Sequence, residues 1–356
     1  MSSLLIHPAH RTAEITYAVR DVVVLAEKAA KRGLEMLYLN IGDPNVFDFR
    51  TPPHIVEAAY QAMLQNKNGY AHSSGIKEGL TAIEKDAEKK GIRNIRDIFI
   101  TTGVSEAIDL CLTALVNEGE NVLAPSPGYP LYGAILKKLN TVDNLYYLDE
   151  SNGWQPNVEE MASKINAKTR AIILINPNNP TGSVCSKEVL EKIIALAAKH
   201  NLIIFADEIY DKLLLDGDVS TSLASLNSDV PVITFNGLSK SYLVPGFRIG
   251  WGIVSGDAAL LAPYIEAVNK LLRARVCANH PMQYAIKPAL EGDQSHLADM
   301  RYRLARRRDL TCKMLNSIPE ISVVKPLGAF YAFASLHICA TDDEFVRALI
   351  EETGAV

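Results

Sequence analysis

The sequence predicts an α/β fold: a mainly parallel, seven-stranded sheet between helices, joined to a smaller α+β unit. Short apolar runs alternate with amphipathic stretches through the middle of the chain, the pattern of a parallel sheet covered by helices. The runs Ala171-Ile-Ile-Leu-Ile175 and Leu202-Ile-Ile-Phe-Ala206 lack polar alternation, as strands buried on both faces require. The alternation stops near Ser255, and a mostly helical tail follows.

In chain order, the strand candidates are Asp97–Thr102, Asn121–Ala124, Leu145–Leu148, Ala171–Ile175, Leu202–Ala206, Val232–Phe235 and Ile249–Val254. Helical periodicity falls at Val104–Val116, Pro130–Lys138, Val158–Lys164, Lys187–His200 and Glu208–Leu215. The first forty residues offer a helix, Val19–Arg32, and a strand, Met36–Leu39. In the tail, Ala258–Ser317 reads as helical, and Ser322–Val324 with Ala329–Ala334 reads as a hairpin. Residues 45–255 would form the large domain, and residues 1–44 with 256–356 the small one.

Composition removes several classes of function. The 356 residues are 48% apolar and 22% charged, those of an ordinary globular chain rather than a disordered one. A net charge of −5 gives no global basic field for nucleic acid or an anionic membrane. The basic run Met300–Asp309 keeps an apolar side at Leu304 and Leu310, so it reads as a solvated helix face. No apolar stretch is long enough to span a bilayer, and the first residues lack a secretory pattern. The five cysteines are scattered without a CxxC pair, which fits a reducing, cytoplasmic compartment. No histidine has metal-ligand spacing, so no metal is expected.

Ligands of open α/β sheets bind beyond the carboxyl ends of the strands, so the residues after each apolar run carry the chemistry. Gly103-Val104-Ser105-Glu106 opens a helix, whose unpaired N–H groups and a hydroxyl could cradle phosphate; an ordinary helix cap is the simpler local reading. Asn176-Pro-Asn-Asn-Pro-Thr-Gly182 carries more asparagine than a turn needs, and an amide can donate to a phenolate or a carboxylate. Asp207 ends a buried strand, where a carboxylate is costly unless it meets a cation such as a protonated heterocycle. Tyr210 would share its face, although an N-cap aspartate with a packed tyrosine fits equally well. Lys240 follows a strand expected to be buried, and a desolvated lysine is a usable amine nucleophile. Arg248, beside glycines and an apolar strand, suits a phosphate bidentately. Neither a GxGxxG nor a GxxxxGK[ST] fingerprint is present, which argues against dinucleotide and P-loop sites.

Asn-Pro-x-Asn-Pro-Thr-Gly, then Asp-x-x-Tyr, then Ser-Lys with an arginine eight residues on resembles the class I/II aminotransferases, pyridoxal-phosphate (PLP) enzymes of fold type I. The likeness runs from Tyr17 to the last residue. Tyr17-Ala-Val-Arg-Asp21, Leu39-Asn-Ile-Gly-Asp-Pro44, Arg275-Val-Cys-Ala-Asn279 and Gly328-Ala-Phe-Tyr331 are similar to the archaeal and bacterial alanine aminotransferases. The resemblance implies that Lys240 bonds the cofactor aldehyde and then moves a proton. It implies that Asp207 keeps the pyridine nitrogen protonated, that Tyr210 and Asn179 meet the ring oxygen, and that Tyr129 stacks on the ring. Val104, Ser105, Ser239 and Arg248 would hold the phosphate, with Tyr70 reaching the phosphate of a partner subunit in a homodimer. Gly42 and Asn179 would touch the substrate carboxylate. Tyr17, Phe47, Tyr132 and Arg275 are candidates for discriminating the substrate side chain.

The implied reaction moves an amino group between an L-amino acid, alanine foremost, and a 2-oxo acid, 2-oxoglutarate foremost, by a ping-pong mechanism. Aspartate or aromatic/kynurenine aminotransferases and PLP lyases share the scaffold and stand as alternatives. A non-catalytic PLP-binding regulator would need an attached DNA-binding segment, and the first forty residues are too few for one. The family pattern also implies a second, carboxylate-binding arginine after the hairpin. The sequence given has no match for it before Val356, so the expectation is a chain lacking its C-terminal end.

Overall fold

The computed structural model describes residues 6–13, 15, 18–217 and 220–356. Helix α1 (Ala18–Lys31) leads to α2 (Pro53–Leu64) and α3 (Lys77–Lys89), and then the sheet begins. Its first half runs β1 (Ile95–Thr102), α4 (Val104–Leu115), β2 (Asn121–Ser126), α5 (Pro130–Lys138), β3 (Leu145–Asp149), β4 (Gln155–Pro156) and α6 (Val158–Lys164). The second half runs β5 (Thr169–Ile175), α7 (Lys187–His200), β6 (Ile203–Asp207), β7 (Val232–Gly237) and β8 (Ile249–Ser255). The tail holds α8 (Ala258–Ala274), α9 (His280–Gln283), α10 (Ile286–Glu291), α11 (Ser295–Leu315), β9 (Ile321–Val323), β10 (Ala334–Leu336) and α12 (Asp342–Thr353).

The sheet has eight strands in the order β1-β8-β7-β6-β5-β2-β3-β4, one more than the sequence predicts. The extra strand, β4, is two residues paired antiparallel to β3, too short to leave a periodic signal. Pairing is parallel from β7 through β6, β5 and β2 to β3. Strand β8 runs antiparallel to both β7 and β1.

The apolar runs are explained by burial on both faces. Ile172, Leu174, Ile204 and Ala206 enter one hydrophobic cluster, while Ala171, Ile173, Ile203 and Phe205 enter the other. Alternate side chains thus meet opposite helix layers, and neither face requires a polar residue.

Two expected elements differ. Glu208–Leu215 is a series of turns instead of a helix, because its backbone groups are used elsewhere. The Glu208 N–H donates to Phe235 O at 3.0 Å, and the Glu208 carbonyl accepts from Asn236 Nδ2 at 3.0 Å. Met36–Leu39 contributes only a parallel bridge between Leu37 and Ala355. That bridge lies beside a small separate cluster in which Ala26, Ala29 and Ile350 pack with Met36 and Val356. The tail hairpin forms with β10 paired antiparallel to β9, but its second strand starts at Ala334. Among the described residues, no helix is long and apolar enough to cross a membrane.

Candidate active site

The sheet register sets the site. Ile175 is level with Asp207, and Asp207 is level with Phe235, so β5, β6 and β7 reach their carboxyl ends along one line. Because β8 runs the other way, its beginning lies at that same edge: Gly237 pairs with Gly250, and Thr102 with Ile249. Arg248 therefore joins loops that leave five different strands. They enclose a cavity of about 570 Å³ lined by Gly42, Val104, Ser105, Tyr129, Asn179, Asp207, Tyr210, Ser239, Lys240 and Arg248. These ten residues all come from the sequence-derived set.

At the cavity floor, Asp207 is 3% exposed. Its Oδ2 accepts from the Tyr132 hydroxyl at 3.1 Å, and its Oδ1 from the Ile209 N–H at 3.3 Å. Burial outweighs those donors and pushes its carboxyl up to about 6. Lys240 donates from Nζ to the Gly42 carbonyl at 2.8 Å and lies 5.5 Å from the Phe330 ring centre. Burial, reinforced by the Arg248 charge and opposed by Asp43 and Asp207, brings its amine down to about 8. The Tyr210 and Tyr331 hydroxyls meet at 2.7 Å, and burial holds the Tyr210 phenol well above the ordinary range.

The other end of the cavity is shaped by backbone. Gly103 caps α4 with φ +75°, and a Cβ there would strike the Arg248 guanidinium. A Cβ on Gly250 would strike the Val104 backbone nitrogen. The close approach brings Arg248 Nη2 to Ser105 Oγ at 3.0 Å, beside the first N–H groups of α4. Helix N–H groups, a guanidinium and the hydroxyls of Ser105 and Ser239 form a donor set for a phosphate. A buried carboxylate held by neutral donors, facing the same cavity as a low-pKa amine, fits a protonated pyridine carrying an aldehyde. The residues present therefore fit PLP at both ends.

The asparagine-rich loop divides its labour. Asn176 Oδ1 accepts from the Cys185 N–H at 2.9 Å, and Asn178 Oδ1 accepts from Thr181 N and Oγ1 at 3.1 and 2.9 Å. Those two amides hold the loop, whose X-Pro bonds are both cis, while Asn179 lines the cavity.

The remaining candidates lie elsewhere. Tyr70 is 87% exposed and outside the cavity of its own chain. Arg275 also lies outside it: its Nη2 donates to Ser73 O and Ile100 O at 3.1 and 2.6 Å, and its Nε sits 3.5 Å from Glu106. Phe47 lines an adjoining apolar cavity. Tyr132 is behind Asp207, supporting the carboxylate from the protein side. Tyr17 lies outside the described residues. Two roles were missed in the sequence. Tyr132 was detectable as the partner of Tyr129 one helical turn on. Tyr331, against Tyr210, lies in Gly328-Ala-Phe-Tyr331 and carries no local signal of its own.

This fold and donor set define a PLP-dependent transferase of fold type I. The family Aminotransferase class I and II is matched over residues 35–356, and the chain belongs to it. It is 42% identical over 335 residues to the glutamate-pyruvate aminotransferase AlaA of Haemophilus influenzae, covering 92% of this chain and 83% of that one. It is 41% identical to the alanine aminotransferase of Mycobacterium tuberculosis, with 91% and 76% covered. The solved alanine aminotransferase of Pyrococcus furiosus superposes with a TM-score of 0.94 at 36% identity, covering 98% and 90%. The protein is an aminotransferase, and its cofactor is PLP.

Proposed function

We propose that the chain transfers the amino group between L-alanine and 2-oxoglutarate. The observation that carries this is the likeness to AlaA and to alanine aminotransferases over more than nine-tenths of the chain, with Lys240 and Asp207 facing one cavity. When bound, PLP supplies an aldehyde for the amino group and a ring that accepts electrons from the substrate α-carbon.

The chain's own residues do the rest. Lys240 would hold the cofactor at its aldehyde carbon and, once the incoming amino group has freed its amine, would carry a proton at Nζ from the substrate α-carbon. A pKa of about 8 leaves more of it neutral near pH 7 than an ordinary lysine would have. Asp207, steadied by Tyr132 and Ile209, would keep a proton on the pyridine nitrogen. Tyr210 and Asn179, which line the cavity, would orient the ring oxygen, and Tyr129 would cover a ring face. Ser105, Ser239, Arg248 and the Val104 and Ser105 amides anchor the phosphate. The Gly42 backbone and Asn179 receive the substrate carboxylate.

The reading includes a homodimer, supported by the exposure of Tyr70, which is free to reach a partner's phosphate. Tyr17 and Arg275 belong to side-chain discrimination in that assembly. Residues 45–255 form its large domain, and residues 1–44 with 256–356 its small one. A cytoplasmic place is supported by the five cysteines, all of them unpaired.

A half-reaction screen tests the proposal. Each L-amino acid is added to the PLP-loaded protein, and conversion to the pyridoxamine absorbance is followed. Alanine and glutamate should convert fastest. Faster conversion with aspartate or an aromatic amino acid would overturn the substrate, and release of ammonia or carbon dioxide the reaction.

A further inference from the structure

The strip from Asp207 to Asp211 has two faces. Asp207 and Tyr210 line the cavity. Glu208 and Asp211, 2% and 1% exposed, lie behind it. The Glu208 carboxylate accepts from Ser222 Oγ at 3.0 Å and from the Leu223 N–H at 2.9 Å. Asp211 meets the ammonium of Lys90, at the end of α3, at 2.6 Å. The same ammonium meets Asp86 at 2.7 Å, and Lys212 approaches Asp86 at 3.4 Å.

The charges of the cluster also reach the segment after Lys240. Tyr242, two residues after Lys240, is 1% exposed, and burial together with the charges of Asp86 and Asp211 holds its phenol well above the ordinary range. Burial alone would lower the Lys90 pKa, but Asp211 and Asp86 hold it above its ordinary value. Lys90 therefore stays charged, shared between α3 and the strip. Burial brings Glu208, the remaining titratable group there, up to about 7.

We propose that Lys90 is a positioning residue: through Asp211 it ties the strip that presents Asp207 and Tyr210 to the end of α3. At 2.6 Å the attraction between the two charges holds the strip against α3, an attraction that an apolar pair of equal volume lacks. The inference rests on Asp207 and Tyr210 facing the cofactor.

Lys90→Met alone leaves the buried Asp211 carboxylate without its cation and destabilises the protein outright, while Asp86 keeps Lys212. The deciding protein is the double variant K90M/D211L, which removes both charges of the buried pair at similar volume and leaves Asp86 paired with Lys212. Its melting temperature should stay near the native one. PLP binding to the apoprotein, read by tryptophan fluorescence, should weaken about tenfold, and the pH midpoint of the PLP-loaded visible band should move. Lys90→Arg should keep both near native values. A double variant with native melting, native PLP affinity and an unmoved midpoint would overturn the proposal. Asp207→Ala, run in parallel, separates the two ideas: if it leaves the visible band and turnover intact, the reading of the site itself has failed.

Discussion

The two ends of the cavity are built on different physics. At the ring end, Asp207 is raised to about 6 and Lys240 lowered to about 8, with burial the largest cause of both shifts. Each group is held partly away from its charged form, and a bound pyridine ring restores a partner to it. At the phosphate end, the cost lies in the backbone. Gly103 has φ +75° and Arg248 φ +53°, and Arg248 itself is open to solvent. One end stores electrostatic cost for chemistry, and the other stores conformational cost for holding an anion. Substitutions at the first should change rate and pH behaviour; substitutions at the second should change affinity.

The largest expected effect is at the ring end. Asp207→Ala should lower the half-reaction rate by several orders of magnitude in stopped-flow absorbance while PLP stays bound, because the phosphate donors are untouched. If PLP affinity collapses and the rate at saturating PLP survives, the division of roles is reversed. Lys240→Ala should abolish the pH-sensitive visible absorbance; an unchanged spectrum would move the nucleophile elsewhere.

The same end should also show a stability cost. The folded pKa of Asp207 lies above its ordinary 3.8, so the folded apoprotein binds more protons than the unfolded chain between pH 3.8 and about 6. Stability contributed by this group is therefore present at low pH and lost as pH rises to about 6. Asp207→Asn carries no charge, keeps Oδ1 as the acceptor for the Ile209 N–H, and can turn its Nδ2–H2 toward the Tyr132 hydroxyl oxygen, which then accepts. It should stabilise the apoprotein by about 2–3 kcal/mol above pH 6, with the gain vanishing toward pH 4. Urea unfolding at pH 4 and pH 7 measures the difference; an equal effect at both pH values would place the cost outside this ionisation.

How far the sequence reaches follows the same division. The ring end was legible because its residues follow strongly apolar runs, and a carboxylate or lysine after such a run demands a reason. Strands β5 and β6 were legible for the same cause, since double-faced burial writes itself as unbroken Ile, Leu, Phe and Ala, whereas β3 alternates buried and exposed residues. Support behind the first layer was not legible. Tyr132 beneath Asp207 and Lys90 beneath Asp211 are joined to their partners only by the fold, 75 and 121 residues away in sequence. Glu208–Leu215 reads as a helix by spacing, yet its backbone bonds distant segments: Glu208 meets Phe235 and Asn236, Asp211 meets Ser220, Leu213 meets Ala329 and Leu215 meets Leu327. Within Asn176–Gly182, composition marks an unusual loop but not which amide faces the cavity, because that depends on Cys185 and Thr181 closing on the other two.

The phosphate end gives the smallest effect and the sharpest contrast. Gly103→Ala adds a Cβ to a residue at φ +75°, directed at the Arg248 guanidinium. The backbone strain is about 1–3 kcal/mol, and the clash displaces Arg248 from Ser105. PLP affinity of the apoprotein should fall about 10- to 100-fold, while the half-reaction rate at saturating PLP should change far less, because Asp207 and Lys240 keep their surroundings. Ser105→Ala removes one hydroxyl, leaves the backbone unstrained, and should weaken PLP by about tenfold or less. Equilibrium titration of the two apoproteins with PLP ranks them. If Ser105→Ala costs more affinity than Gly103→Ala, the cradle depends on its side-chain donors more than on the backbone path that brings Arg248 and α4 together.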